Sequence, residues 1–177
     1  MSDLFPWRDD DPIAEAAAAA RSAWRTQQEE WTRATAERWV HERSLSEVFV
    51  ELAHRGDLVV ADLGAITFTG EIIVVGTDYL VITVSGTAVD ISLGAALVHV
   101  HQTRGGGRRP CRDPSTLRAR LLERETDAGA VEVGMVDNTE ALRGRLAVGR
   151  DHVLVDADSR RSVVPLSRLG WVRAVST

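Results

Sequence analysis

His99 and His101 stand two apart in a β-branched run, so on a strand both imidazoles point to one face and could share a metal ion. A zinc site takes four ligands, or three with one open position. The nearest further candidate, Cys111, lies beyond the run Arg104-Gly-Gly-Gly-Arg-Arg-Pro110. The set is incomplete, and no metal is expected. Asp78 and Asp151 each follow Gly-x, and paired carboxylates could do acid–base work. At a turn, however, Asp tolerates left-handed backbone and bonds its own loop, which is the reading adopted for both. Ser44, Ser46, Ser85, Ser92 and Ser115 sit in no nucleophile elbow. The glycines form neither a phosphate loop nor a dinucleotide fingerprint. The chain therefore reads as non-enzymatic, with no cofactor and no catalytic residue.

Phosphate chemistry has one candidate. Arg104, Arg108, Arg109 and Arg112 could track a nucleic-acid backbone from a glycine-rich segment. Net charge is −5, and its distribution is uneven. Residues 104–124 carry 7 Arg against 2 acids, while 58–103 carry 4 acids and no Arg. No aromatic residue interleaves the basic run, so the stacking expected of single-strand binding is missing.

Recognition of a protein has a stronger candidate. Residues 13–40 form a helix, rich in alanine and without interior Gly or Pro. Trp24, Trp31 and Trp39, seven and eight apart, share one side of it among Gln, Glu and Arg. Such a stripe packs either on the protein's own core or on a partner or second copy. Trp is enriched where interfaces have their energetic centres, so these three are the partner-binding candidates. Cys111 is the only cysteine, which rules out an internal disulfide. Neither a signal segment nor a membrane-length apolar run is present, and a cytoplasmic protein with no membrane contact is expected.

The remaining elements say the same thing twice. Gly56, Leu58, Val60, Gly76, Asp78, Leu80, Ile82, Ile91 and Leu93 recur 73 residues later as Gly129, Val131, Val133, Gly149, Asp151, Val153, Val155, Val164 and Leu166. A period of this size implies two copies of one folding unit. In the first copy Ser44-Leu-Ser-Glu47 is a capping box, and Gly56 can end that helix. Five short strand runs follow, at 58–63, 66–75, 79–84, 89–91 and 97–101. In the second copy Ser115 caps a helix with Leu117, Leu121 and Leu122 on its apolar side. Strands are expected at 131–136, 141–148, 152–156, 162–165 and 171–175. The predicted organisation is an acidic tail and amphipathic helix over 1–43, a first barrel unit over 44–102, a Gly/Arg/Pro linker over 103–114 and a second barrel unit over 115–177. The fold class is α+β. Each copy is a helix plus five strands, closed as a small β-barrel that bends at Gly70 or Gly144.

Helix, then five strands with a mid-strand glycine, resembles the Sm-like, SH3-like small barrel. Gly70-Glu-Ile72 and Gly144-Arg-Leu146 are similar to the first half of that family's first motif. The motif's Asn is missing from Tyr79-Leu-Val-Ile82, and Leu93-Gly94 keeps the glycine of the second motif without its arginine. The resemblance thus implies the fold and carries over no RNA-contact residue. The function expected is a non-enzymatic protein-interaction or scaffold module, self-associating or docking through its N-terminal helix. The alternative is an RNA- or DNA-associated regulator using the arginine-rich linker.

Overall fold

Ser44 holds the Glu47 amide while Glu47 reaches back to the Ser44 amide at 2.8 Å, so the capping box forms at the start of α2, Leu45–Arg55. Gly56 ends the helix at φ 69°, a left-handed geometry that favours glycine. The fold comes from a computed structural model that describes residues 12–107, 110–127, 129–136, 138–157 and 160–175, the side chains of 12–15, 18 and 36–40 excepted. The acidic segment 1–11 lies outside the described residues.

Two compact units are present. One contains α1, Pro12–Glu42, with proline in its first turn; the other runs from Ser44 onward. Neither α1 nor any other helix among the described residues is long and apolar enough to cross a membrane.

The second unit is α+β. Its strands are β1 (Leu58–Asp62), β2 (Thr67–Val75), β3 (Tyr79–Val84), β4 (Thr87–Ser92), β5 (Leu97–Gln102) and β6 (Cys111–Arg112). After α3 (Leu117–Asp127) come β7 (Val131–Met135), β8 (Leu142–Val148), β9 (His152–Ala157), β10 (Arg160–Pro165) and β11 (Leu169–Ala174). Ten strands pair antiparallel in the order β10-β9-β8-β7-β11-β4-β3-β2-β1-β5, and β6 adds to β2 in parallel.

Both expected copies are present, each a helix followed by five strands, but neither closes into a barrel. Among the described residues β4 does not pair with β5, nor β10 with β11. The two copies merge into one open sheet instead. The free side of β4 is taken by β11, with Ile91 opposite Trp171, Asp90 opposite Val172 and Val89 opposite Arg173. An edge strand presents unpaired amides and carbonyls, and pairing with the other copy satisfies them as well as closure would.

The repeat is exact in backbone detail. β2 pairs with β1 through Glu71 and with β3 from Glu71 onward, so Gly70 sits where it changes partner. A Cβ at Gly70 would collide with the Thr83 carbonyl, and one at Gly144 with the carbonyl of Asp156, 73 residues after Thr83. The Gly76 amide donates to the Tyr79 carbonyl and the Gly149 amide to that of His152. Leu93 donates to the Asp78 carbonyl as Leu166 does to that of Asp151.

Two cores result. Phe49, Leu52, Val59, Phe68, Ile82 and Ile91 fill the first, Leu121, Val133, Val153, Val155 and Val172 the second. Trp171, from the last strand, crosses into the first core and meets Phe68 edge-on at 5.0 Å between ring centres.

The segment 103–114 is not a bare linker. Cys111 and Arg112 pair with Val74 and Val75, Pro110 is buried, and Gly107 lies so close to Gly56 and Ala53 that a Cβ on it would strike their backbone. Glycine permits this approach, and the strand hydrogen bonds repay the ordering. Leu122 is also corrected: Leu117 and Leu121 are buried, but Leu122 is 38% exposed.

Candidate functional site

Along α1 every side chain from Ala19 to Thr35 is exposed. Trp24 is 68% and Trp31 76% exposed, and with Gln27 and Gln28 they line one shallow surface patch. Two indoles a heptad apart on an otherwise polar helix form an amphipathic contact stripe. The Trp39 side chain lies outside the described residues.

The arginine segment is largely spent on the protein itself. The Arg104 amide donates to Asp57 Oδ1 at 2.9 Å, and its guanidinium to Glu71 Oε1 at 2.6 Å. Asp57 is fully buried. Burial pushes its carboxyl up, but bonds from the Arg55 side chain and the Arg104 amide, with the Arg55 charge, outweigh that and hold it below the usual carboxylate range. Arg112 is exposed on β6; Arg108 and Arg109 lie outside the described residues. The four predicted phosphate ligands are therefore not seen to converge.

Further along the basic block, Arg118 donates to the Gly149 carbonyl at 2.8 Å. Arg120 and Arg124 reach from α3 to Asp90 on β4, Arg124 Nε lying 2.6 Å and Arg120 Nε 3.4 Å from its carboxylate oxygens. Asp90 is fully buried, so this cluster is a latch between the copies rather than a ligand site. The same seven arginines that look in sequence like a nucleic-acid footprint supply these internal bonds.

Asp78 does not bond its own turn. Its Oδ1 accepts from the Leu117 amide at 2.6 Å, so a carboxylate 39 residues away caps the start of α3, where negative charge is favourable. Asp151 instead bonds its neighbour His152 at 2.8 Å. Ser115 is not the cap either. The Thr116 hydroxyl accepts from the Ala119 amide, while the Ser115 hydroxyl meets the Tyr79 hydroxyl at 3.3 Å.

Tyr79 was missed by sequence reasoning. It is fully buried and donates to Asp113 Oδ2 at 2.6 Å. Burial, then that bond, pushes its hydroxyl up to about 12, and Asp113 is held below the ordinary range by the Tyr79 hydroxyl and the Ser115 amide. As the chain's single tyrosine it could have been flagged, but its partner 34 residues away has no local signal.

His99 and His101 are exposed on β5, and Cys111 is exposed on β6. Among the described residues no three His, Cys, Asp or Glu side chains gather where they could hold a metal. The polar clusters found join one part of the chain to another: helix to strand, loop to sheet, copy to copy. Against known proteins, the chain matches no protein-family model, and no curated protein matches it significantly.

Proposed function

We propose that this chain is a non-enzymatic interaction module: a two-copy sheet body that carries a tryptophan-striped helix for docking to a partner protein. The observation that supports this reading is the exposure of Trp24 and Trp31 on one line of a helix whose other described side chains are polar or alanine. Two exposed indoles cost free energy in water, and contact surfaces recover it at their centres. The five-strand unit with its bend glycine is in keeping with a small Sm-like or SH3-like scaffold, and such scaffolds host many functions. Nucleic-acid binding has less support, because Arg104, Arg120 and Arg124 already face carboxylates.

The test is affinity capture from a nuclease-treated lysate with the wild type and with Trp24→Ala/Trp31→Ala. A protein partner retained by the wild type and lost by the double variant, with unchanged circular dichroism, is the expected result. Partners that vanish on nuclease treatment would replace this reading with the nucleic-acid one.

A further inference from the structure

The junction between the two copies leaves the same junction unmade at each end of the sheet. Inside the chain, the fourth strand of the first copy (β4) pairs with the fifth strand of the second (β11). The outermost strands are β10, the fourth strand of the second copy, and β5, the fifth strand of the first. One end therefore carries the donor half of this joint and the other end its acceptor half.

The repeat fixes the residues. Val98 stands opposite Ala61 as Trp171 stands opposite Gly134, 73 residues later. Val98, His99 and Val100 thus correspond to Trp171, Val172 and Arg173. Ser162, Val163 and Val164 face Val155, Leu154 and Val153 as Val89, Asp90 and Ile91 face Ile82, Val81 and Leu80. At the internal junction Val89, Asp90, Ile91 and Val172 are fully buried. Of the equivalents at the free ends, Val163 is 63% and Val100 43% exposed, and His99 is exposed. Leu97, beside them on β5, is 63% exposed. Four of the large exposed apolar side chains of the sheet unit could not be predicted from composition, yet three of them fall on the two unpaired edges. Arg160 and Arg161 at one end of β10 and Pro165 at the other restrict the open edge to the three positions that the internal junction uses.

We infer that β5 of one chain pairs antiparallel with β10 of a second copy of this chain, with Val98 opposite Val164, His99 opposite Val163 and Val100 opposite Ser162. The contact is head-to-tail. Each chain keeps one free edge of each kind, so assembly continues until a ring closes or a filament grows, according to the rotation per step. This contact is independent of the tryptophan helix, and Trp24→Ala/Trp31→Ala is expected to leave it intact.

The test is sedimentation velocity of the full chain over a concentration range. Four samples are compared: wild type, Val100→Glu, Val163→Glu and an equimolar mixture of the two variants. The wild type should form species larger than a monomer as concentration rises. Each variant alone should stay monomeric, since one edge of every pair is blocked. The mixture should recover a dimer and stop there, because only one competent joint can form. A wild type that remains monomeric overturns the inference, as does either variant associating like the wild type. Hydrogen exchange of the unsubstituted chain gives the same decision without relying on variants that fold. Amides of 97–102 and of 160–165 should gain protection together as concentration rises, and no gain, or a gain in one strand only, is incompatible with head-to-tail pairing.

Discussion

The two copies share a backbone and differ in what holds their helices. In the first, α2 is tied locally, through its own capping box and its left-handed Gly56. In the second, α3 is tied from outside, its first turn by Asp78 and its basic face by Asp90, both carried by the first copy. The debt is mutual, because the first core is completed by Trp171 from the second copy. A duplicated unit has in this way become two dependent halves. The repeat survives where the backbone needs glycine or a turn carbonyl, and has been lost where one half now leans on the other.

The largest effect should come from Trp171→Ala. Removing a buried tryptophan costs about 4 kcal/mol by cavity formation and lost transfer energy. Its counterpart Val98→Ala, on the half-buried edge, should cost about 1 kcal/mol or less. Urea unfolding of both measures the contrast, and equal costs would mean that the copies are not joined through Trp171.

Next in size is Asp90→Ala, which leaves Arg120 and Arg124 without their shared carboxylate. Breaking a buried pair costs about 3–5 kcal/mol. These arginines keep 25% and 16% side-chain exposure, so about 2 kcal/mol is expected here. Val163→Ala, at the equivalent position on the free edge, should stay within about 0.5 kcal/mol. A cost for Asp90→Ala as small as that would remove the latch from the account.

The smallest effects concern pH. Asp57 and Asp113 are held low in the folded chain, so their contribution is complete above the unfolded carboxylate value, about 4. It is lost as pH falls below that value through the folded ones. Tyr79 works in the other direction. Its folded value of about 12 lies above the unfolded one near 10, so stability is constant below pH 10 and declines as pH rises from there toward 12. Ultraviolet titration of the single tyrosine should show late ionisation when folded and ordinary ionisation in urea. Tyr79→Phe should remove the alkaline arm and cost about 1 kcal/mol. An unshifted tyrosine in the folded protein would separate Tyr79 from Asp113.

The helix and strand elements were largely legible in sequence, because each is announced within a few residues: Ser44 and Glu47, Gly56, the alternating runs of β2 and β8. The 73-residue echo was legible because bend and turn glycines have few substitutes. What joins the elements was not. Nothing near Val89 to Ile91 signals that Trp171 to Arg173 will pair with them, and the unclosed barrels follow from that one contact. Asp78 reads as a turn residue because its role as a cap depends on where Leu117 arrives. Arg104 and the Arg120/Arg124 pair read as free positive charge because the carboxylates they meet lie about 30 residues or more away in sequence. For the tryptophan stripe, sequence left open whether it was buried, and Trp24 and Trp31 are exposed.

The place of Trp171 also orders the protein's birth. Every strand of the first copy has been synthesised by Gln102, yet the side chain that fills its core is still 69 residues from being made. Until then the nascent chain holds a sheet with β4 unpaired and a pocket beside Phe68 open to water. The first copy is thus the earlier part to be translated and among the last to be finished, and a chain truncated before β11 lacks the piece that both halves share.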